Sequence, residues 1–421
     1  MTGAQARAAL LNLPRFATDA AAYTPGLDRM TALLADLGDP HLRAPAVHVA
    51  GTNGKGSTAS LCAAVLTASG RRVGLHTSPH LVDLAERFRI DGAPAPDAWL
   101  GDAVARALPL FRRHGPSFFE ATTALAFLYF AEAEVDVAVI EVGLGGRLDA
   151  TNVARSAVSC VTHIGLDHTD LLGDTLGAVA TEKAGIARPG VPFLHALPPG
   201  EARDALEAEA RRRGAPVEAV RDTCRAALAD GTLTLSTPQR RTETPLGVPG
   251  AHQAWNAALA VRAAETVVPD LSDGAVGRGL RDVVALSGLR GRGEPLASDP
   301  RVVLDVAHNA DGWAAALDAL AVPGRLWALV GVVADKDAEA LGRLLAARDA
   351  RVLTLGLPGP RGRSAEALAA ALAAAGAPAE ASTVAEAHAA WQTAGPTDRL
   401  LVTGSHLTVA AVLEAWDPKR A

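Results

Sequence analysis

Residues 47–58 read Val47-His48-Val49-Ala50-Gly51-Thr52-Asn53-Gly54-Lys55-Gly56-Ser57-Thr58. An apolar, strand-like run ends here in a glycine-rich turn, and a helical pattern over 59–68 follows directly. In such a turn the glycines let backbone N–H groups point inward, the helix N-terminus adds a positive dipole, and Lys55 can reach terminal phosphates. The hydroxyl of either Ser57 or Thr58 can bind Mg²⁺. The stretch therefore predicts a nucleotide-binding loop between a strand and a helix.

This loop departs from the strict Walker pattern. Gly56 stands where Ser or Thr follows the lysine, and Val49 stands in place of the first glycine. The competing interpretation is a glycine-rich surface turn that happens to contain a lysine. Because a strand-like run precedes the turn and a helix follows it, nucleotide binding is favoured.

Length and composition limit the possible functions. With 421 residues and 49% hydrophobic content, the chain is long enough for two or three domains. The 40 basic and 46 acidic residues give a formal net charge of −6, which disfavours nucleic acid or an anionic membrane as partner. The three cysteines lie far apart, which favours neither a disulfide framework nor a zinc site and fits the cytoplasm. Neither a secretory signal nor a run of about 18 apolar residues is evident.

Two further apolar runs end in polar residues. Residues 135–142 are nearly all apolar, which is typical of a strand buried on both faces of a parallel sheet, and Glu141 lies at the end. The run 157–164 is followed by Asp167 and His168. Because open α/β sheets bind ligands outside the carboxyl ends of their strands, these side chains are predicted to meet the phosphate loop at one edge. The alternative for Glu141 is an ion pair with Arg147.

Two polar side chains on predicted helices have open roles. Lys183 lies in a helical pattern over 174–186 and is either a solvated lysine or a cation near the phosphates. Asn256 lies at the start of an alanine-rich helix, after a predicted hairpin and loop at 237–244, where it can face a base or ribose.

Phe118 and Phe119 open a helical pattern that runs to Glu132, and they are either core residues or a stacking platform for a flat heterocycle. His80 follows a second predicted strand on a loop, where the sequence alone favours a capped turn over a ligand site. The alternating pattern over 86–91 predicts a half-exposed strand.

A glycine-rich, basic segment at 287–294 changes the composition and predicts a boundary between domains at 1–288 and 295–421. Beyond the boundary, strand-like runs alternate with helical patterns, which predicts a smaller doubly wound, Rossmann-like α/β domain. The strand-like runs are 302–306, 326–332, 351–357 and 400–403, and the helical patterns lie near 310–320, 336–347, 364–375 and 405–416.

Together these motifs closely resemble the bacterial folylpolyglutamate synthase and dihydrofolate synthase family, which belongs to the Mur ligase group of ATP-dependent amide-forming enzymes. The resemblance covers residues 24–416 and rests on the segments 51–57, 78–80, 141–152, 167–170, 182–185 and 305–309. It implies an α/β protein with a P-loop-containing parallel-sheet ATPase domain, of the Mur ligase type, followed by the smaller Rossmann-like ligase domain.

The resemblance also implies the site residues. ATP would contact Thr52, Asn53, Gly54, Lys55, Gly56, Ser57, Asn256, Arg292, Asp305 and His308. Mg²⁺ would be held by Ser57, Ser78, Glu141 and His168. Lys183 would be carried as a carbamate, and the catalytic set would be Lys55, Lys183, Glu141 and His168. The pterin or pteroate would lie near Pro25, Gly26, Leu27, His80, Phe118, Phe119, Glu120, Ala121, Leu148, Asp149 and Ala150.

One departure concerns the phosphate arginine. The family's Pro-Gly-Arg segment reads Arg290-Gly291-Arg292 here, so the role could fall to either arginine. The separation of 13 residues between Arg292 and Asp305 is like that of the family and selects Arg292.

The implied reaction joins L-glutamate to dihydropteroate, to tetrahydrofolate (poly)glutamate, or to both, through an acyl phosphate. A Mur ligase acting on a UDP-muramoyl substrate is the rival enzyme. A nucleotide-dependent switch without ligase activity is the rival from another class, and two α/β domains with polar strand ends argue against it. We expect a cytoplasmic monomer whose partners are these small molecules.

Overall fold

The computed structural model describes residues 1–14 and 26–417, which pack as two compact units. The first unit takes in the described residues of Met1–His80, Leu84–Gly247 and His252–Leu289. The second takes in Leu81–Asp83, Val248–Ala251 and the described residues from Arg290 onward.

An eight-stranded sheet forms the centre of the first unit, in the order β4-β3-β2-β5-β1-β6-β7-β8. Its strands are β1 (Ala46–Ala50), β2 (Val73–His76), β3 (Arg89–Ile90), β4 (Ala93–Pro94), β5 (Val137–Glu141), β6 (Ser156–Val161), β7 (Phe193–His195) and β8 (Val217–Ala219). The six strands from β2 to β8 in this order run parallel, and β3 and β4 are antiparallel additions at one edge. Every residue of β1 and β5 is buried, as their apolar sequences require. The predicted parallel sheet is confirmed.

Helices cover this sheet. They are α1 (Gly3–Leu11), α2 (Asp28–Asp36), α3 (Lys55–Ala68), α4 (Asp97–His114), α5 (Phe118–Glu132), α6 (Thr169–Leu172), α7 (Leu176–Ala184), α8 (Glu201–Arg212), α9 (Val220–Thr223), α10 (Gln253–Val267), α11 (Asp273–Arg281) and α12 (Val283–Ser287). Short 3₁₀ turns lie at Pro40–Leu42, Leu84–Arg87 and Ala150–Val153. A small antiparallel sheet of β9 (Arg225–Ala229), β10 (Thr232–Ser236) and β11 (Arg241–Pro245) completes the unit and packs on α10 and α11.

The second unit is built on a six-stranded sheet in the order β12-β13-β17-β14-β15-β16. Its elements are β12 (Arg292–Pro295), β13 (Val302–Asp305), α13 (Ala310–Asp318), β14 (Leu326–Val330), α14 (Ala338–Ala346), β15 (Arg351–Leu355), α15 (Ala365–Ala374), β16 (Ala379–Ser382), α16 (Val384–Trp391), β17 (Arg399–Thr403) and α17 (His406–Trp416). β12 is antiparallel to β13, and the other pairs are parallel.

Alternate residues of the central strands enter two separate cores. Leu329 of β14 packs in a cluster with Trp391 of α16 and Val409 of α17. Its neighbour Val330 packs in another cluster with Leu341 of α14. Since successive side chains of a strand point to opposite faces, the sheet has helices on both faces. The predicted doubly wound architecture is confirmed.

The structure differs from the sequence-based predictions at several elements. Residues 86–91 form the end of a 3₁₀ turn and the two-residue strand β3 rather than one half-exposed strand. β12, β16 and α16 were not predicted from the sequence. The two strands lie at the edges of the sheet, so they need no continuous apolar run. Within the described ranges, no helix is both long and apolar enough to cross a membrane.

Candidate active site

The phosphate loop leaves the carboxyl end of β1 through two glycines with positive φ, Gly51 (+149°) and Gly54 (+86°). A Cβ on Gly54 would stand 2.6 Å from Oδ1 of Asn256, and a Cβ on Gly51 would overlap the hydroxyl of Thr162. Both positions therefore require glycine. Thr162 also holds the loop, because its Oγ1 donates to the carbonyl of Asn53 at 2.7 Å.

Lys55 is the first residue of α3, and Gly54 precedes it as the N-cap without a side-chain cap. The first turn of α3 thus has backbone N–H groups directed at the loop, as an anion site requires. Nζ of Lys55 donates to the carbonyls of Gly51 (3.1 Å) and Thr52 (3.0 Å). The ammonium group therefore lies over the loop, where phosphate oxygens would bind.

Thr52 ties this loop to the segment after β6. Its N–H donates to the carbonyl of His163 at 2.6 Å, and its Oγ1 donates to the carbonyl of Gly165 at 3.0 Å. His168 follows in the left-handed region, with φ +51°, at the start of α6. Its imidazole is one-third exposed, and its backbone N–H donates to Oδ1 of Asp167 at 2.9 Å. The segment that carries His168 is thereby joined to the loop.

Glu141 ends β5, the strand that lies between β1 and β2. Its side chain is buried, and its Oε2 accepts the N–H of Ser78 at 2.9 Å. The alternative ion pair with Arg147 is not formed in the described structure, because Arg147 pairs with Glu182. Ser78 and Glu141, which the family resemblance assigns to one metal site, thus lie together at the carboxyl edge.

The donor set suits magnesium. Ser57, Ser78 and Glu141 present hydroxyl and carboxylate oxygens, which Mg²⁺ prefers. Within 1–14 and 26–417, no group of three or more His, Cys, Asp or Glu side chains could hold a metal ion by itself. A metal at this edge would therefore rely on hydroxyl and phosphate oxygens besides Glu141 and His168. Of the two candidate hydroxyls in α3, that of Ser57 accepts a hydrogen bond from Gln253, whereas Thr58 Oγ1 is buried without a partner in the described structure.

Lys183 lies near the end of α7 and is 4% exposed. Burial, together with the nearby charge of Lys55, lowers the pKa of its amine to about 7, although Asp167 and Asp149 oppose the shift. Lys183 is therefore not the solvated lysine that was one alternative. An amine with this pKa is largely neutral at slightly alkaline pH, and the neutral form is the nucleophilic one.

The predicted pterin residues lie in four places, one of which is His80, between β2 and the 3₁₀ turn Leu84–Arg87. Gly26 and Leu27 precede α2, whereas Pro25 lies outside the described residues. Phe118, Phe119, Glu120 and Ala121 form the first turn of α5. Leu148, Asp149 and Ala150 follow β5, where the side chain of Leu148 is 39% exposed.

Several of these side chains have structural contacts. Phe118 packs in the core of the first unit, which favours the core interpretation. Glu120 caps α5 with Ser117 and pairs with Arg29 at 2.8 Å. Asp149 is buried, which raises its pKa, although it accepts the N–H groups of Leu144 and Thr151.

Arg87 is a candidate that the sequence did not single out. It is 6% exposed, its Nε donates to Nδ1 of His80 at 2.8 Å, and its guanidinium lies 5.1 Å from the centroid of the Phe118 ring. It thus connects two of the predicted substrate residues. The only sequence signal was an arginine inside an alternating stretch, which is typical of an exposed strand.

In the second unit, β12 places Arg292 opposite Asp305 of β13. The carboxylate of Asp305 accepts the N–H groups of Gly293 and Ala307, both at 2.9 Å, and burial raises its pKa. His308 follows, with Nδ1 3.1 Å from the carbonyl of Val306. Arg290 instead pairs with Glu294 at 2.7 Å. The choice of Arg292 as the phosphate arginine stays a prediction.

Two protein-family models match the chain. The Mur ligase middle domain matches residues 49–192, and the glutamate ligase domain of Mur ligases matches residues 291–406. The probable bifunctional folylpolyglutamate synthase/dihydropteroate synthase of Haloferax volcanii is 38% identical over 93% of this chain and 48% of its own length. The chain therefore spans about half the length of that relative. The dihydrofolate synthase/folylpolyglutamate synthase of Escherichia coli is 36% identical over 94% of this chain and 92% of its own length.

Solved structures are similar as well. The structure of E. coli FolC in complex with DHPP and ADP matches this chain with a TM-score of 0.88 and 33% sequence identity. The match covers 100% of this chain and 99% of the FolC chain. A bifunctional folylpolyglutamate synthase/dihydrofolate synthase with Mn, AMPPNP and L-glutamate bound has a TM-score of 0.84 and 33% identity, over 99% of this chain and 98% of its own.

Proposed function

Because the chain belongs to the folylpolyglutamate synthase/dihydrofolate synthase family of the Mur ligase superfamily, we propose that it is an ATP-dependent ligase. It joins L-glutamate to dihydropteroate, to a reduced folate (poly)glutamate, or to both. The observation that carries the proposal is the convergence of Lys55, Ser57 and the Ser78–Glu141 pair at the carboxyl edge of one parallel sheet.

The proposed reaction has two steps. A carboxylate oxygen of the folate acceptor attacks the γ-phosphorus of ATP in line, which gives an acyl phosphate and releases ADP. The amine of L-glutamate then attacks the acyl carbon, loses a proton and expels inorganic phosphate, which leaves an amide. Phosphoryl transfer depends mainly on positioning and on neutralising charge.

The residues of the first unit supply most of that neutralisation. Lys55 and the N-terminal N–H groups of α3 hold the phosphates, and Asn256 lies beside Gly54 to meet the nucleotide. Ser57, Ser78, Glu141 and His168 would hold Mg²⁺, which when bound supplies positive charge next to the transferring phosphoryl group. Arg292, Asp305 and His308, which belong to the second unit, are proposed as ATP contacts on the family resemblance alone.

Lys183 is proposed to react with CO₂ and form a carbamate. The neutral amine attacks the carbon of CO₂ and loses a proton, so that a cationic side chain becomes an anionic one. Its low pKa supports this step, because a large share of the amine is unprotonated near neutral pH. The carbamate would then present oxygens towards Lys55, whose charge acts on the amine of Lys183 in the structure.

The substrate assay tests the proposal. The purified chain is incubated with MgATP and L-glutamate, and with dihydropteroate, tetrahydrofolate, a UDP-muramoyl acceptor or no acceptor. We expect ADP and a glutamylated pteroate or folate in equal amounts. ADP release with only the UDP-muramoyl acceptor would support the rival Mur ligase. Substantial ATP turnover without any acceptor would support a nucleotide switch.

Two variants test the site. Lys55→Ala and Glu141→Ala should each lower glutamate-dependent ADP release by about 100-fold or more, because each removes charge that holds the reacting phosphates or their metal. Glu243→Ala, on the exposed side of β11, removes a carboxylate far from these residues in sequence and is the matched control. Near-normal turnover of either site variant would refute the role of that residue.

We further propose that residues 1–288 form the ATP-binding domain and residues 295–421 the ligase domain. The protein is proposed to be a cytoplasmic monomer with small-molecule partners only. The three cysteines, all buried and free, support a reducing compartment. Size-exclusion chromatography with light scattering measures the molar mass in solution and so tests whether the protein is a monomer.

A further inference from the structure

We propose that Gln253 is a positioning residue for the magnesium site. Its side-chain amide orients the hydroxyl of Ser57 and joins that hydroxyl to Asn256. The inference rests on the proposed function, because it requires a magnesium nucleotide at the phosphate loop. It adds a residue that belongs to neither the predicted metal set nor the predicted ATP set.

The amide of Gln253 uses both of its ends. Nε2 donates to Oγ of Ser57 at 3.4 Å, and Oε1 accepts from Nδ2 of Asn256 at 2.9 Å. Gln253 and Ser57 are each 2% exposed, and Asn256 is 9% exposed. Because a buried amide must satisfy its donors and acceptor within the protein, this chain of hydrogen bonds fixes its orientation.

The first turn of α10 contacts the phosphate loop at two points. Gln253 and Asn256 are three residues apart and therefore share one face of the helix. Asn256 lies against Gly54, and a Cβ on Gly54 would stand only 2.6 Å from Oδ1 of Asn256. Gln253 reaches Ser57, which lies in the first turn of α3. Two contacts from one rigid turn restrict both the loop and the hydroxyl.

The other end of α10 is also held. Glu265 is buried and pairs with Arg240 at 2.6 Å and with Arg262 at 2.5 Å, and it accepts the hydroxyl of Thr237 at 2.8 Å. A buried carboxylate with three donors strongly resists displacement. Arg240 and Thr237 therefore hold this end of α10 against the turn between β10 and β11.

This contact matters for metal binding because a serine hydroxyl has one proton and two lone pairs. When one lone pair accepts the N–H of Gln253, the other lone pair and the proton have fewer orientations. A hydroxyl held in this way loses less freedom when it binds a cation. Removal of hydrogen-bond partners of metal ligands lowers metal affinity by roughly 10–100-fold in other proteins.

The test separates this role from simple packing. Gln253→Met keeps the side-chain length and removes the amide. ADP binding is measured by calorimetry, once with Mg²⁺ and once with EDTA. We expect affinity roughly 10-fold or more below wild type with Mg²⁺ and nearly unchanged affinity with EDTA. Gln239→Met, at an exposed glutamine, is the matched control and should match wild type in both buffers.

Equal affinities for Gln253→Met and wild type with Mg²⁺ would overturn the inference. An equal loss in both buffers would also overturn it, because the effect would then be structural. If the Met variant does not fold, Gln253→Asn takes its place, since it keeps an amide but is shorter by one methylene. The results that would support or overturn the inference are the same for Gln253→Asn as for Gln253→Met.

A double-mutant cycle shows whether Gln253 acts through Ser57. In a Ser57→Ala background, Gln253→Met should cause no further loss of magnesium-dependent ADP affinity, and a full additive loss would overturn the inference. The wild type distinguishes the two proposals. If its ADP affinity is the same with Mg²⁺ and EDTA, the proposed function fails and this inference with it. If wild type depends on Mg²⁺ and the variant does so equally, only this inference fails.

Discussion

Two buried histidines of the first unit, His48 and His76, are neutral at physiological pH. Burial lowers the pKa of His48 to about 3 and that of His76 to about 4. Nε2 of His48 lies 2.9 Å from Oγ1 of Thr151, and Nδ1 of His76 lies 2.8 Å from the carbonyl of Arg87. These imidazoles are structural groups that keep one charge state at physiological pH. Lys183 differs, because its pKa of about 7 lies within the working range.

The buried amine of Lys183 predicts a pH-dependent stability. Between pH 7 and about 10.5, the unfolded chain binds a proton at this lysine that the folded chain does not bind. The contribution of this lysine to the free energy of unfolding of the wild type should therefore rise with pH across this window, by at most about 1.4 kcal/mol per unit. Lys183→Met lacks this term, so it should be more stable than wild type near pH 7, by a margin that shrinks towards pH 10.

Denaturant unfolding of both proteins at several pH values, in CO₂-free buffer, measures this margin. The difference between the two proteins removes the contribution of all other titrating groups that they share. A margin that stays constant from pH 7 to pH 10 would contradict the low pKa. Addition of bicarbonate should stabilise only the wild type if the carbamate forms.

At the scale of elements, the segment after β5 packs backbone to backbone on the end of α7. A Cβ on Gly146 would lie 2.9 Å from the carbonyl oxygens of Glu182 and Lys183, and a Cβ on Gly185 would overlap Arg147. The N–H of Arg147 donates to the carbonyl of Glu182 at 3.0 Å. The two glycines therefore allow the contact that places Lys183.

Replacement of glycine by alanine should have opposite effects on stability at this contact and at an open position of another helix. Gly146→Ala should lower the free energy of unfolding by about 1–3 kcal/mol, because backbone atoms must move to make room for the methyl group. Gly274→Ala lies in α11 with open space around the new methyl group, so it should raise stability by about 0.5–1 kcal/mol.

The denaturant midpoints of the two variants and the wild type measure this difference. Gly146→Ala should also lower turnover, because it moves Lys183, whereas Gly274→Ala should not. Stabilisation of the protein by Gly146→Ala would show that the segment and α7 are not in close contact.

At the scale of the whole molecule, burial protects every thiol. Cys62, Cys160 and Cys224 are free and buried. Burial raises the pKa of Cys62 to about 12, that of Cys160 well above its ordinary value, and that of Cys224 as well. Because the thiolate is the reactive form, these groups are both inaccessible and protonated.

The native protein should therefore react with no more than a trace of a thiol reagent at pH 8. Titration with Ellman's reagent measures this reaction, and three equivalents should react once denaturant is added, in agreement with the composition. A thiol that reacts rapidly in the native protein would contradict the buried placement.

The sequence by itself determined the parts that depend on local pattern. The apolar runs identified β1, β5 and β6, the glycine-rich turn identified the loop before α3, and the helix at Phe118–Glu132 matches α5. Strand and helix periodicity also predicted the doubly wound second unit. These features follow from side chains close together in the chain, so the sequence displays them directly.

Only the tertiary structure decided the partners. Glu141 accepts the N–H of Ser78 while Arg147 pairs with Glu182, Lys183 is buried, and Gln253 reaches Ser57 across 196 residues of sequence. β12 and β16 gain their strand structure from the edges of a sheet that distant segments build. Burial, pKa and hydrogen-bond partners depend on groups that folding brings together, and no local pattern of residues contains that information.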